Sequence, residues 1–217
     1  MEKKENYKKI TIGESSEFLA RLRENFPEEI IQGIFDVRIN LDYVRKNPLI
    51  AKTFSSFEDC PIDKLECERI VLESKDPNSN YLFARDVKGA DIKAHERIVL
   101  ESGNLECICC FATDVDGADI KAHEKIILES KDPRYNYLFP LYLLDEADII
   151  AHSKVVIDSG NERYIKSFCD DIIVPKLDQA WEEHDLSNEK KYVEIWHKFQ
   201  QALKPQKVLS RHPKSKK

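Results

Sequence analysis

The chain has 217 residues, 34 Lys and Arg against 40 Asp and Glu, and a formal net charge of −6, with 41% hydrophobic and 34% charged residues. That balance supplies a core and a polar surface, so a soluble globular protein is expected. No apolar run approaches the roughly 20 residues that cross a bilayer, and the opening MEKKENYKKI lacks the apolar stretch of a signal peptide, so no membrane partner is expected.

In chain order, residues 15 to 26 place Phe18, Leu19, Leu22 and Phe26 at helical spacing. Pro27 with Glu28 and Glu29 marks a second helix start, because acidic side chains suit the positive end of the helix dipole. Residues 40 to 59 read as a degenerate leading repeat in which Pro48 opens a short helix holding Phe54 and Phe57. Residues 1 to 59 are therefore expected to form an N-terminal helical cap.

The middle of the chain repeats. ERIVLES occurs at 68 to 74 and again at 96 to 102, EKIILES follows at 124 to 130 and SKVVIDS at 153 to 159, in steps of 28, 28 and 29 residues. A fixed period of this size is the signature of stacked units that bury their apolar faces against each other. Asp63, Asp91, Asp119 and Asp148 open the four units as helix N-caps, with Glu66 completing a capping box in the first. This first helix of each unit ends at Gly103 or Gly160, or at the Asp76-Pro77 and Asp132-Pro133 steps that cap and start the next helix. The second helix carries Phe83, Phe111, Phe139 and Phe168 at one equivalent position and stops near Gly89 or Gly117. Two helices of about eleven residues with short turns fill the period. The expected fold is all-α: an αα-solenoid of short helix-pair repeats over residues 60 to 175, with helical N- and C-terminal caps.

After the fourth unit, Pro175 opens a segment containing Trp181, and Ser187 or Asn188 caps a helix with Tyr192, Trp196, Phe199 and Leu203 on one stripe. Residues 176 to 203 form the expected C-terminal cap, and 204 to 217 a basic, flexible tail. Charge is divided accordingly: residues 60 to 175 hold 14 basic against 23 acidic side chains, residues 190 to 217 hold 9 against 1. An acidic array repels phosphates, so nucleic acid is not expected on the repeats and is left as an alternative for the tail.

Candidate chemistry is confined to two clusters. Cys67, His95, His123 and His152 occupy one column, and Cys and His are metal ligands. Packed helices lie about 8 to 10 Å apart, so members two units apart cannot share a metal, and semi-buried imidazoles bonded to neighbouring polar groups are expected. Glu96 and Glu124 follow the histidines directly and do not face them, because adjacent residues on a helix diverge. Cys107, Cys109 and Cys110 stand where other units carry Tyr or Leu, and read as small hydrophobes. With Cys60 and Cys169 they form no regular disulfide framework, which points to reduced thiols in a cytoplasm. No cofactor, metal or catalytic residue is assigned.

The stretches ARDVKGADIKAHERIVLES, Ala84 to Ser102, and ATDVDGADIKAHEKIILES, Ala112 to Ser130, resemble the short tandem repeats of uncharacterised bacterial and phage proteins. The resemblance covers about residues 60 to 172 and implies a microbial or phage-related setting and repeat-based binding, with no activity attached. The leading expectation is a non-enzymatic protein that binds another protein as an adaptor or inhibitor. The alternatives are a nucleic-acid-associated regulator acting through its basic tail, and an enzyme using the histidine column. Fixed columns serve stacking, so a partner surface is sought where columns vary: YNYLFPLYLL, Tyr135 to Leu144, departs most, with Pro140 interrupting its helix. Tyr135, Leu141, Tyr142 and Tyr164 are the candidate partner-binding residues.

Overall fold

A computed structural model of the protein describes residues 7–8, 23–24, 39–40, 44, 46–55 and 63–204. Apart from a two-residue antiparallel pairing of β1 (Tyr7–Lys8) with β2 (Ile39–Asn40), the secondary structure there is helical. Arg23 and Glu24 are helical and exposed; the rest of the expected helices between 15 and 39 lies outside the described residues, as does Phe57.

The helices are α1 (Pro48–Ser55), α2 (Lys64–Ser74), α3 (Pro77–Asp86), α4 (Ile92–Ser102), α5 (Leu105–Asp114), α6 (Ile120–Ser130), α7 (Pro133–Tyr142), α8 (Ile149–Asp158), α9 (Glu162–Phe168), α10 (Val174–Glu182) and α11 (Leu186–Ala202). The four expected aspartate caps are in place. Asp63, Asp91, Asp119 and Asp148 each accept a main-chain N–H from the first turn that follows. Glu66, in the first turn of α2, pairs with Arg69 at 2.7 Å. Asp76 and Asp132 cap α3 and α7 with proline behind them, and Asn104 and Asn161 cap α5 and α9. Gly103 and Gly160 close their helices at φ 65° and 66°; Lys75 and Lys131 take the same left-handed conformation at φ 54°, which a residue with a Cβ adopts at some cost.

Three departures from expectation concern the two prolines Pro140 and Pro175 and the last cap. Helix α7 does not stop at Pro140 but runs on to Tyr142. The missing N–H costs one bond to the Asn136 carbonyl, and only two residues follow, so little helix remains to be displaced. The extra residue of this unit falls in the turn after the helix, where Asp145 and Glu146 replace the glycine that sits at φ 85° and 83° in the two preceding turns. Asp185, not Ser187 or Asn188, caps α11, accepting from both of their N–H groups at 3.0 and 3.1 Å. Pro175 does not open a separate segment either. Helices α9 and α10 are continuous through one π-helical turn, Cys169–Ile173, whose wider ring makes room for the proline behind it.

The chain divides into two compact bodies, Met1–Ile126 and Ile127–Lys217, with the division inside α6. The core of the first holds Phe54, Phe83 and Phe111 with Ile70, Val71 and Val99, all essentially without exposure. In the second, Phe168 stacks on Phe199 at 5.3 Å, and Phe139 is equally buried. Tyr192, Ile195 and Phe199 of α11, flanked by Trp196 and Leu203, cover α8 and α9 as the apolar stripe predicted. No helix among the described residues is long and apolar enough to cross a membrane.

Candidate functional site

His95, His123 and His152 have no solvent exposure. Each imidazole lies against the phenylalanine of the preceding sequence repeat: Phe83 on His95 at 4.9 Å, Phe111 on His123 at 5.4 Å and Phe139 on His152 at 5.5 Å. Expected as semi-buried, they are fully enclosed, because the aromatic covers one ring face and the helix pair closes over the rest.

Their polar partners come from two other columns, one of asparagine and one of glutamate. His95 Nδ1 is 2.7 Å from Asn80 Oδ1, and the Asn80 amide donates to the carbonyls of Val71 and Asp76 at 3.1 and 2.8 Å. In the second body His152 Nδ1 lies 2.9 Å from Asn136 Oδ1, whose amide donates to Ile127 and Asp132. His123 meets Ile108 where the others meet Asn, and its Nδ1 makes no hydrogen bond.

Glutamate supplies the other side. Glu68 Oε1 lies 3.3 Å from His95 Nε2 and accepts the Asp91 N–H at 2.6 Å. Glu96 Oε1 lies 3.2 Å from His123 Nε2 and accepts the Asp119 N–H at 2.5 Å, while Oε2 takes Lys93 at 2.9 Å. Glu96 indeed turns away from its neighbour His95. It is nevertheless buried, and serves the histidine 27 residues on. One carboxylate thus ties a helix start and an imidazole to the preceding helix pair. Burial pushes the His123 pKa down, opposed by Glu96. For Glu96, the bonds from Lys93 and the Asp119 N–H outweigh burial and hold the carboxyl below its ordinary range.

Among the described residues no group of three or more His, Cys, Asp or Glu is placed to hold a metal. Cys107 and Cys109 are buried and Cys110 half-buried; burial pushes the first two thiols up to about 11 and about 12, so they are poor nucleophiles at neutral pH. Cys67 fills the histidine's place in the first unit and is fully buried.

The candidate partner residues are divided by the structure. Leu141 and Tyr164 turn inward against the core of the second body, alongside Tyr137, whose ring is 6.2 Å from that of Tyr164 and whose hydroxyl donates to Asp171 at 2.7 Å. Leu141 and Tyr164 are both half-buried, as Tyr135 is. Tyr135 is half-buried beside the Arg134 guanidinium, 5.2 Å from its ring centre. Tyr142 is 64% exposed. On the first body, an open groove of about 540 Å³ runs between α2 and α4, floored by Leu72, Ala94 and Ile98 and edged by Glu73, Arg97 and Glu101.

These features define an all-α protein in which His95, His123 and His152, with Cys67, Cys107 and Cys109, are enclosed by packed helices. No family model, curated protein or solved structure matches the chain.

Proposed function

We propose that residues 60 to 175 form an αα-solenoid of short helix pairs, and that the protein is a non-enzymatic repeat protein that binds another protein, as an adaptor or inhibitor, in a bacterial or phage-infected cytoplasm. The carrying observation is the division between fixed and varying columns. Fixed ones supply the enclosed imidazoles and phenylalanines, while the column of Asp86, Asp114, Tyr142 and Asp171 varies and, at Tyr142, meets solvent. Tyr142 stands where three other units carry Asp86, Asp114 and Asp171, and tyrosine is among the side chains that most often anchor protein interfaces. The open groove on the first body, lined by residues that recur between units, offers a second surface that is part apolar and part charged. Buried thiols with raised pKa suit a reducing compartment, and the resemblance of the repeats supplies the microbial setting.

The test uses the residues that other units already carry at these positions. A tagged full-length chain is expected to retain one partner protein in fixed stoichiometry from its native cytoplasm. Tyr135→Ser combined with Tyr142→Asp should abolish retention and leave the thermal melt unchanged. Undiminished retention by the double variant removes this surface, and retention of random nucleic acid that is released by salt would favour the basic tail instead.

A further inference from the structure

Arg69 and Arg97 occupy the same position in the first two units but are held differently. The Arg69 guanidinium is gripped by Glu66, three residues before it, which accepts from Nε and Nη2 at 2.9 and 2.7 Å, and by Glu73, four residues after it, at 2.5 Å. In the second unit Ala94 replaces the first of these glutamates, and among the described residues Arg97 has no carboxylate partner. Glu101 follows Arg97 by four residues as Glu73 follows Arg69, but a base placed ahead of its acid is the weaker orientation on a helix, and here the pair does not close. Later units carry Lys125 with Ala122 and Lys154 with Ala151. Only the second unit combines a guanidinium fork with an alanine three residues before it.

That fork borders the open groove of about 540 Å³ between α2 and α4, whose floor is Ala94 with the half-buried Leu72 and Ile98. The charge at its rim is not that of the array. Glu73 is neutralised by Arg69, so among the described residues Lys75 and Arg97 stand against Glu101, two cations to one free carboxylate, in a repeat region with 14 basic and 23 acidic side chains. The helix-end carbonyls of Leu72 and Leu100 are taken by the N–H groups of Lys75 and Gly103. We propose that this groove takes an acidic, apolar segment of the partner protein: one Asp or Glu carboxylate lies bidentate on Arg97, as Glu66 does on Arg69, and a neighbouring Leu, Ile or Met side chain covers Leu72 and Ile98. The proposal rests on the reading of the chain as a protein-binding repeat protein and adds the chemistry of the partner. The bidentate pair fixes the direction in which the segment runs, and the apolar floor supplies the binding energy that an exposed ion pair lacks.

The experiment is selection of a display library of random short peptides on the immobilised full chain, followed by fluorescence-anisotropy titration of the peptide recovered. Wild type is expected to recover peptides with Asp or Glu close to Leu, Ile or Met. Ala94→Glu installs the glutamate that the first unit already carries; it should tie Arg97 within its own helix, occupy the groove and weaken the recovered peptide by about tenfold or more. Arg97 is exposed, so Arg97→Glu leaves the fold intact and should turn the selection toward Lys and Arg. Tyr135→Ser with Tyr142→Asp should bind the peptide as wild type does. Recovery of basic or wholly apolar peptides by wild type overturns the proposal, as does recovery of none, or a peptide that both groove variants bind unchanged. Should Ala94→Glu fail to fold, Arg97→Glu alone decides. A cellular partner still retained by Ala94→Glu removes the groove and leaves the protein-binding reading in place, whereas acidic peptides bound through Arg97 by a chain that retains no cellular protein uphold the groove and remove that reading.

Discussion

Replacing Glu96 by alanine removes one carboxylate and strands two donors. The His123 Nε2–H has no exposure and no second acceptor, so it keeps the whole penalty of a buried unpaired group, about 1 to 3 kcal/mol. The Asp119 N–H belongs to an exposed residue at a helix start, where water can replace the lost bond, so its share is smaller, about 0.5 to 1 kcal/mol. Together the substitution should cost about 2 to 4 kcal/mol. Glu96→Gln keeps an acceptor in place and should recover roughly half. Urea unfolding followed by circular dichroism at pH 7 reads both, with the midpoint and slope fitted separately because a chain of two compact bodies need not unfold in one step. A loss below about 0.5 kcal/mol for Glu96→Ala would mean that the carboxylate is not the tie described between α4 and His123.

Three further outcomes are expected. Phe111→Ala, which empties a fully buried site and uncovers His123, should cost about 3 to 5 kcal/mol by the same assay, more than Lys93→Ala, whose side chain is 67% exposed although its ammonium reaches Glu96. Because burial lowers the His123 pKa in the fold, the unfolded chain takes that proton first, so stability from this group is full above about pH 6.5 and falls by up to about 1.4 kcal/mol per unit as pH drops below it; His123→Gln should flatten that acid limb. Iodoacetamide at pH 8 should alkylate Cys107 and Cys109 far more slowly in the native chain than in urea, and equal rates would contradict their burial and raised pKa.

Features set by a residue acting on its own helix were readable in advance. An aspartate at a helix start, a glycine or an Asp-Pro step at its end, and a phenylalanine at fixed period each have a local cause, and the aspartate caps, both αL glycines and the buried phenylalanines stand where those causes put them. Features set by a residue acting on another helix were not. The divergence of adjacent side chains correctly separates Glu96 from His95, but says nothing about a partner 27 residues away. Lys75 and Lys131 give no signal for φ 54°, since that conformation is imposed by the tight turn into the next helix and not preferred by lysine. Tyr164 stands out in the sequence only as a member of a varying column; that its ring meets Tyr137 at 6.2 Å is set by the packing of α9 on α7.

One such signal does lie in the sequence, in the differences between units and not in their likeness. Asn80 and Asn136, in the first and third units, share a position that Ile108 and Ile165 fill in the second and fourth, and the first and third units also carry Tyr81 and Tyr137, and Asp76-Pro77 and Asp132-Pro133. The bonds follow the alternation. In the first body Asn80 meets His95 and the Tyr81 hydroxyl bonds Asp114; in the second, Asn136 meets His152 and Tyr137 bonds Asp171. Each body therefore joins an odd unit to an even one through the same two contacts, and the operative period is two units. A column that changes at every step yet returns at every second one marks a bond that runs in one direction between unlike neighbours. Position 108 is where that bond is withheld, so His95 is held by an amide oxygen as well as a glutamate, while His123 keeps the glutamate without the amide.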